Sequence, residues 1–203
     1  ESGSWSIGLS PNLRFRPSGR ATLSVGSFVS RNVNDLQWVG RFGNEDPAYL
    51  FGRMDQTTVG LTARVDYAFS PTLSLQLYAQ PFVSAGEYSD YKRMADPQAE
   101  TYQGRIARVP TMGTDAQLTG DVDGDGVPES FWRPDFNFRQ FRSNAVLRWE
   151  YRPGSTLFLV WAQGRDHYIP FNGGFDFRQD LDELFHRQAD DVFMLKVSYW
   201  INP

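Results

Sequence analysis

Long stretches of strictly alternating apolar and polar residues are the feature that most limits what this chain can fold into. In residues 57–69 every odd-numbered position from Val59 to Phe69 is apolar, whereas Thr58, Arg64 and Asp66 lie on the other side. Because successive side chains of a strand point to opposite faces, the pattern predicts a strand with one apolar face. The pattern recurs, with local breaks, in 5–15, 21–29, 73–83, 141–151 and 193–201, while 156–162 is apolar on both faces. We therefore expect an all-β antiparallel fold of seven strands, each longer than the ~5–6 residues usual in soluble sheets.

Composition excludes several classes of protein. The 203 residues carry a net charge of −4 with interspersed signs, so no basic stripe is present to neutralise nucleic-acid phosphates. The absence of cysteine excludes a disulfide scaffold and a thiolate metal site. The sequence contains no apolar run of ~18 residues, so no transmembrane helix is predicted. The mean hydropathy of −0.47 is still compatible with a membrane barrel, because such strands present only every second side chain to lipid.

The connections between strands alternate in length. Tight turns rich in proline, glycine and serine are predicted at 16–20, 70–72 and 152–155. The intervening connections, at 31–48, 85–135 and 164–190, are long and polar. Short periplasmic turns at one end and long extracellular loops at the other are typical of outer-membrane barrels, and we interpret 85–135 and 164–190 as extracellular.

Aromatic residues favour the same interpretation. One set lies at the short-turn or chain-terminal ends of the strands: Phe15, Tyr67, Phe69, Trp149, Tyr151 and Tyr199. A second set falls near the long connections: Tyr49, Phe51, Phe82, Phe136, Phe138 and Trp161. Amphipathic rings are enriched at membrane–water boundaries, so the two sets predict two girdles. Ordinary core packing of a β-sandwich is the alternative explanation.

The charged side chains of the strands are predicted to share one face. That face would line a polar lumen, with opposite charges neutralising one another across neighbouring strands. Its predicted members are Arg14, Arg64, Asp66, Arg142, Arg148, Glu150 and Lys196. Seven strands leave two open edges, which hydrocarbon does not tolerate. Residues 1–203 are therefore expected to be the C-terminal part of a larger barrel, completed by strands from an N-terminal segment or another chain.

One short motif in the 85–135 connection carries identifiable chemistry. Asp121, Asp123, Asp125 and Glu129 occupy positions 1, 3, 5 and 9 of a glycine-containing turn, a spacing that suits calcium. The predicted ligands are these four carboxylates and the carbonyl of Val127. Position 12 is tryptophan and no flanking helices are evident, so the loop is not an EF-hand. A solvated acidic turn is the alternative.

No other motif predicts a catalytic site. The two histidines lack zinc spacing and no nucleophile elbow is present, so the chain is expected not to be an enzyme. In 180–187, Leu181, Leu184 and Phe185 follow acidic residues at helical spacing, which predicts a short helix inside the 164–190 connection.

Three stretches carry a family resemblance: FGRMDQTTVGLTARVDYAFSPTLSLQLYAQPFVSAGEYSDYK (51–92), FNFRQFRSNAVLRWEYRPGSTLFLVW (136–161) and VFMLKVSYWINP (192–203). They resemble the C-terminal region of a large bacterial family known only as a domain of unknown function. Its members typically carry a family-nine-type carbohydrate-binding module before an outer-membrane barrel. The resemblance covers nearly all of the chain and implies an outer-membrane location, outer-membrane lipid as surroundings and glycans as partners. The apolar and aromatic ending also resembles the signal read by the barrel-assembly machinery, although Asn202 and Pro203 follow it.

Two classes of function are therefore open. The first is an outer-membrane barrel component acting as a pore or as a surface anchor, with a calcium-stabilised loop and a link to glycan binding or uptake. The second is a secreted, calcium-stabilised β-sandwich that binds carbohydrate. A glycoside-processing enzyme ranks below both, because nothing selects two catalytic carboxylates from 24 acidic residues.

Overall fold

A computed structural model describes residues 3–43 and 47–201. The strands are β1 Trp5–Leu9, β2 Asn12–Ser18, β3 Ala21–Phe42, β4 Ala48–Ser70, β5 Leu73–Met94, β6 Ile106–Arg108, β7 Met112–Gly113, β8 Gln117–Gly120, β9 Glu129–Trp132, β10 Phe136–Arg152, β11 Ser155–Pro170 and β12 Asp190–Ser198. The helices are α1 Tyr102–Arg105 and α2 Phe177–Phe185. No helix in this part of the chain is long and apolar enough to cross a membrane. Asn202 and Pro203, which follow the predicted assembly signal, lie outside the described residues.

One antiparallel sheet contains all the long strands, in the order β1-β3-β4-β5-β10-β11-β12. The short strand β2 also pairs with β3, below β1, and β6 pairs with β5. Over the described residues the sheet is open, with β1 and β2 at one edge and β12 at the other. The predicted all-β antiparallel fold is confirmed, and its seven strands correspond to the seven positions of the main path.

The tight turns all lie at one end of the sheet, which we call the turn end; the opposite end is the loop end. Turns at 19–20, 71–72 and 153–154 join β2 to β3, β4 to β5 and β10 to β11. The first predicted strand is split into β1 and β2 at Pro11, whose carbonyl still accepts a hydrogen bond of 3.0 Å from Ser27 N. Proline has no N–H to give to a sheet, which accounts for the break.

The register separates the side chains of the sheet into two faces. Face A is defined by the paired row Leu23, Val65, Leu77, Ala145, Trp161 and Phe193. Face B is defined by the adjacent row Ser24, Arg64, Tyr78, Asn144, Ala162 and Val192. Near the turn end, face A is therefore apolar and face B is mostly polar.

The strands run further than their sequence pattern indicates. β3 covers 31–42 of the predicted 31–48 connection, β5 extends nine residues past Ala85 to Met94, and β11 reaches Pro170. These extensions were missed because the alternation changes phase along the strand. On β4, odd positions from Val59 to Phe69 are apolar, but above Asp55 the buried residues are Leu50, Gly52 and Met54 at even positions, while Tyr49 and Phe51 stay at odd positions.

Near the loop end, where the buried residues of β4 lie on face B, this face is covered by the chain between β5 and β10. Strands β7, β8 and β9 form a small antiparallel sheet in that segment. A buried cluster joins it to β4 and β5, namely Leu50, Tyr91, Val109, Leu118, Val122 and Phe131. The ring of Phe131 lies edge-on to Tyr91 at 5.3 Å and to Phe42 at 5.9 Å. The main apolar core of the described residues is therefore at the loop end, on the face that is polar lower down.

Helix α2 packs on face A, within the segment where the sequence predicts a short helix. Asp176 caps it by accepting hydrogen bonds from Arg178 N and Gln179 N. Its buried Leu184 faces the sheet, and Phe185 contacts Phe141 of β10 with ring centroids 4.9 Å apart.

Candidate functional site

The most extensive chemical feature of the molecule is an apolar band on face A, next to the turn end. The band continues over β2, β3, β4, β5, β10, β11 and β12. Many of its large side chains are exposed, among them Leu13, Val25, Leu77, Trp149, Leu159, Phe193 and Leu195. No second sheet covers it anywhere in 3–43 and 47–201, because the small sheet lies on face B. Contiguous exposed apolar surface of this extent marks contact with a membrane or another protein.

The loop-end limit of the band slants across the sheet. The first charged residue above it on face A is Arg31 on β3 and Asp191 on β12; the intervening strands place theirs at Asp55, Glu87, Arg139 and Arg165. Paired residues lead from Asp191 through Gln163, Ser143, Ala79 and Ala63 to Val25 on β3, six residues from Arg31.

Six residues correspond to about 20 Å along a strand, and five interstrand spacings to about 24 Å. A line between these two ends is inclined by about 40° to the hydrogen-bonded rows, similar to the ~35–45° strand tilt of outer-membrane barrels. The limit itself rises eight residues from β12 to β5 and β4, and then falls back by two residues at β3. On β10 the band runs from Trp149 to Phe141, about 27 Å along the strand and about 21 Å in height at that tilt, near the ~25 Å of such barrels.

Face B opposite the band carries the charged residues that the sequence predicts for a lumen. The register places Arg14 and Arg64 in one row on either side of Ser24, and Arg148 in a row with Lys196. Some charges are paired within the face: Arg148 lies 3.2 Å from Glu150, and Arg142 lies 3.8 Å from Asp166 on the next strand. Arg64 instead stacks over Tyr78 at 5.0 Å.

Only one of the two predicted aromatic girdles has a consistent geometry. At the turn end, Tyr67 packs on Phe69 and Trp149 on Tyr151, while Tyr151 Oη donates a hydrogen bond to the Ser198 carbonyl. The second set divides between the faces, because Phe82, Phe136 and Phe138 pair with Gly60 or Gln140, Gly86 and Ser84 on face B. That prediction was wrong since it used height along the strand without the parity of each position.

The acidic motif forms the loop between β8 and β9. Asp121, Asp123 and Glu129 bring carboxylate oxygens within 4.8 Å of one another. Backbone N–H groups already surround them: Asp121 Oδ1 accepts from Gly124 N at 2.7 Å, and Glu129 Oε2 accepts from Val122 N at 2.7 Å. These three carboxylates could hold a hard cation such as calcium.

The two remaining predicted ligands lie beside this group. Asp125 is outside the set of three, and its Oδ1 accepts a hydrogen bond of 2.7 Å from the N–H of Val127. Gly124 and Gly126 adopt φ of +88° and +89°, which fits the sharp bend that the motif requires. The loop is anchored by fully buried Val122 and by Arg93 of β5, whose Nη1 donates to the Asp123 carbonyl.

A third feature, not anticipated from the sequence, is an ionic cluster on face A just above the apolar band. Lys92 Nζ lies 2.6 Å from Asp35 Oδ1 and 3.2 Å from Asp90 Oδ2, with the lysine side chain only 7% exposed. Arg53 approaches Asp35 at 3.6 Å and Arg108 approaches Asp90 at 3.4 Å.

Tyr102 of α1 completes this cluster. Its Oη donates a 2.8 Å hydrogen bond to Asp35 Oδ2. Burial, together with this hydrogen bond, raises the pKa of Tyr102 to about 12, so the phenol keeps its proton at neutral pH. The cluster lines an open cavity of about 670 Å³.

Comparisons with known proteins place the chain in a family. No curated protein and no solved structure matches it significantly. The sequence model of the family described as Domain of unknown function (DUF5916) matches residues 1–202, and the chain therefore belongs to that family.

Proposed function

We propose that the chain forms part of the wall of an outer-membrane β-barrel in a bacterium. The observation that carries this proposal is the phase inversion of the long strands. Near the turn end, face A is apolar and face B polar, which suits hydrocarbon outside and water inside. Above the band, face A carries charged side chains together with Trp38, Tyr49 and Phe51, and face B of β3, β4 and β5 is apolar and covered, which suits a barrel end that projects into water.

The free-energy cost of placing a charged side chain in lipid is consistent with lipid contacting the band. An arginine facing lipid costs about 2–4 kcal/mol at the midplane, and the band on face A contains no charged residue between Trp149 and Phe141. The slant of the band's loop-end limit corresponds to the strand tilt that a closed barrel requires. The two sheet edges would pair with strands from an N-terminal segment or another chain, since unpaired backbone groups are not tolerated in hydrocarbon.

Within this proposal, a surface anchor is the better supported role. The segment containing β7, β8 and β9 packs on face B at the loop end. In a closed barrel it would narrow this sector of the lumen. The anchor would display that segment and its acidic loop outside the cell, where calcium at Asp121, Asp123 and Glu129 would stabilise the turn. Association with glycans rests on the family resemblance. A pore is the second candidate, favoured by the charged side chains of face B.

Fractionation of cells that express the full-length protein tests the proposal. We expect recovery in the outer membrane and slower gel migration after heating than before, because folded barrels resist detergent. Recovery in the soluble fraction would instead favour the carbohydrate-binding β-sandwich. Conductance in planar bilayers separates the two roles: an anchor gives no stable channel events, whereas a pore gives them.

A further inference from the structure

The ionic cluster on face A is built by two irregularities of the sheet. On β5, Ser89 and Lys92 pair with Arg53 and Phe51 of β4, so β5 carries one extra residue there. On β3, Asn34 and Gln37 pair with Met54 and Gly52, which again leaves one extra residue. Asp90 and Asp35 occupy these two bulges, on either side of β4. Bulges commonly re-aim side chains next to functional sites.

Backbone strain marks the same place. Asp90 has a φ of +46°, and it is one of two residues other than glycine with positive φ in the described chain. An aspartate in the left-handed region costs free energy, and such positions concentrate at ligand sites. The strain sets the Asp90 carboxylate between Lys92 and Arg108.

The arginines of the cluster have N–H groups that their ion pairs with the aspartates do not use. Among the residues that line the cavity, three cations, Arg53, Lys92 and Arg108, face two carboxylates, which leaves one excess positive charge in the lining. Asp55, just outside the lining, also interacts with Arg53. Lys92 is buried and held at 2.6 Å by Asp35, but Arg53 and Arg108 make only the longer contacts of 3.6 and 3.4 Å. Their side chains are 37% and 80% exposed. Each guanidinium has five N–H groups, so both arginines can donate hydrogen bonds to an oxyanion while they keep their ion pairs with the aspartates.

The height of the cavity above the apolar band indicates which layer of a membrane would contact it. Arg53 lies two residues beyond Asp55, the first charge above the band on β4, in the direction of the loop end. That distance is about 7 Å along the strand, or about 5 Å of height at a tilt of about 40°, which falls in the headgroup layer of about 5–8 Å per leaflet. Asp35 lies four residues beyond Arg31 on β3, or about 10 Å of height, so the cavity extends from the headgroup layer to its outer edge.

We propose that this cavity binds the phosphate of a membrane headgroup, held by Arg53 and Arg108 above the buried Lys92. The position of the ligand rests on the proposed function; the phosphate chemistry rests on the cluster alone. Asp35 and Asp90 hold the three cations together when no ligand is bound, and bidentate arginine contacts provide the recognition of the phosphate.

Thermal unfolding of the purified full-length protein tests the site. The probes are vesicles of phosphatidylcholine with 10 mol% phosphatidic acid, about one lipid in ten, compared with pure phosphatidylcholine, and glycerol 3-phosphate in solution. We expect phosphatidic acid to raise the Tm, and R53Q/R108Q to weaken the response by at least about tenfold. The matched control R16Q/R20Q removes two arginines at the turn end and should respond as the unmodified protein does.

Each outcome has a defined meaning. A response to phosphatidic acid alone assigns the site to a lipid, and a response to glycerol 3-phosphate as well assigns it to phosphate esters in general. An equal response of R53Q/R108Q and R16Q/R20Q would overturn the proposal, provided that circular dichroism shows both variants folded. A protein that fails to enter vesicles contradicts the membrane assignment, yet its glycerol 3-phosphate titration still decides whether the cavity binds phosphate.

Discussion

Arg139 of β10 and Asp180 of α2 form a buried ion pair, with Nη2 2.7 Å from Oδ1 and both side chains only 4% exposed. Arg139 also donates to Asn137 Oδ1 at 3.0 Å and pairs with Glu183. Asn137 in turn donates to the Gly174 carbonyl. This network fixes α2 and the preceding loop on face A, next to the limit of the apolar band.

Replacing Asp180 by alanine should release α2 from the sheet. Removing one partner of a buried ion pair costs about 3–5 kcal/mol, because the remaining charge loses its compensation. Hydrogen exchange of 177–185 should become much faster, while exchange in β3 and β4 stays unchanged. Asp182→Ala is the matched control, since Asp182 lies in the same helix with its side chain 74% exposed. Equal effects of the two substitutions on the exchange of 177–185 would contradict the role of the Arg139–Asp180 ion pair in attaching α2.

The attachment of α2 should weaken in acid. Its hydrogen bond with Arg139, followed by that with Gln179, holds the pKa of Glu183 below the ordinary value of 4.5. A carboxyl with a lowered pKa stabilises the fold above the unfolded pKa and loses that contribution as pH falls through the folded pKa. Exchange of 177–185 should therefore accelerate below about pH 4.5. Glu183→Gln should show a smaller change across that window; an unchanged pH profile in this variant would contradict the assignment.

Adjacent positions on β10 should tolerate arginine very differently. Ala145 lies on face A in the middle of the band, and Asn144 lies on face B. Ala145→Arg should cost about 2–4 kcal/mol of folding free energy in a bilayer, whereas Asn144→Arg should cost little because it faces water. Urea titration in lipid vesicles, followed by the gel shift of folded and unfolded forms, measures both. Similar losses for the two variants would place lipid on neither face.

Calcium should stabilise the β8–β9 loop. Stabilisation is expected to reach about 2–3 kcal/mol when calcium exceeds its Kd about a hundredfold. Asp123→Asn should abolish the response, because it removes one of the three converging carboxylates. Asp125→Asn should reduce it less, and Asp115→Asn, an exposed carboxylate elsewhere in the segment, should leave it intact. Thermal unfolding with and without calcium measures the difference, and a calcium response that persists in Asp123→Asn would refute the site.

The strands near the turn end could be predicted from the sequence, because the band enforces a simple alternation there. Val59 to Phe69 and Leu73 to Val83 were assigned to the correct face by parity alone. The family of unknown function was also identified correctly. The acidic motif was found by its spacing, and the structure brings together three of its four carboxylates.

The loop-end half of the sheet could not be predicted because its signal depends on tertiary cover. Above Asp55 the apolar face of β4 depends on Val122 and Phe131, which arrive from a distant segment. Bulges at Asp35 and Asp90 also shift the alternation, so Arg31 to Phe42 resembled a polar loop. For the same reason the cluster around Lys92 had no sequence signature beyond charged residues at irregular spacing.

Accessibility of single cysteines along β4 tests the central claim most directly, and residues 1–203 contain no native cysteine. Fluorophores would be attached at positions 49, 51, 59, 61, 62, 63 and 64 of the full-length protein in lipid vesicles. We expect a quencher attached to lipid acyl chains to reach 59, 61 and 63 but not 62 or 64, which lie on face B, and to reach neither 49 nor 51, which lie on face A beyond Asp55. Acyl-chain quenching that ignores the parity of these positions, or that continues to positions 51 and 49, would contradict a lipid-facing band that ends near Asp55.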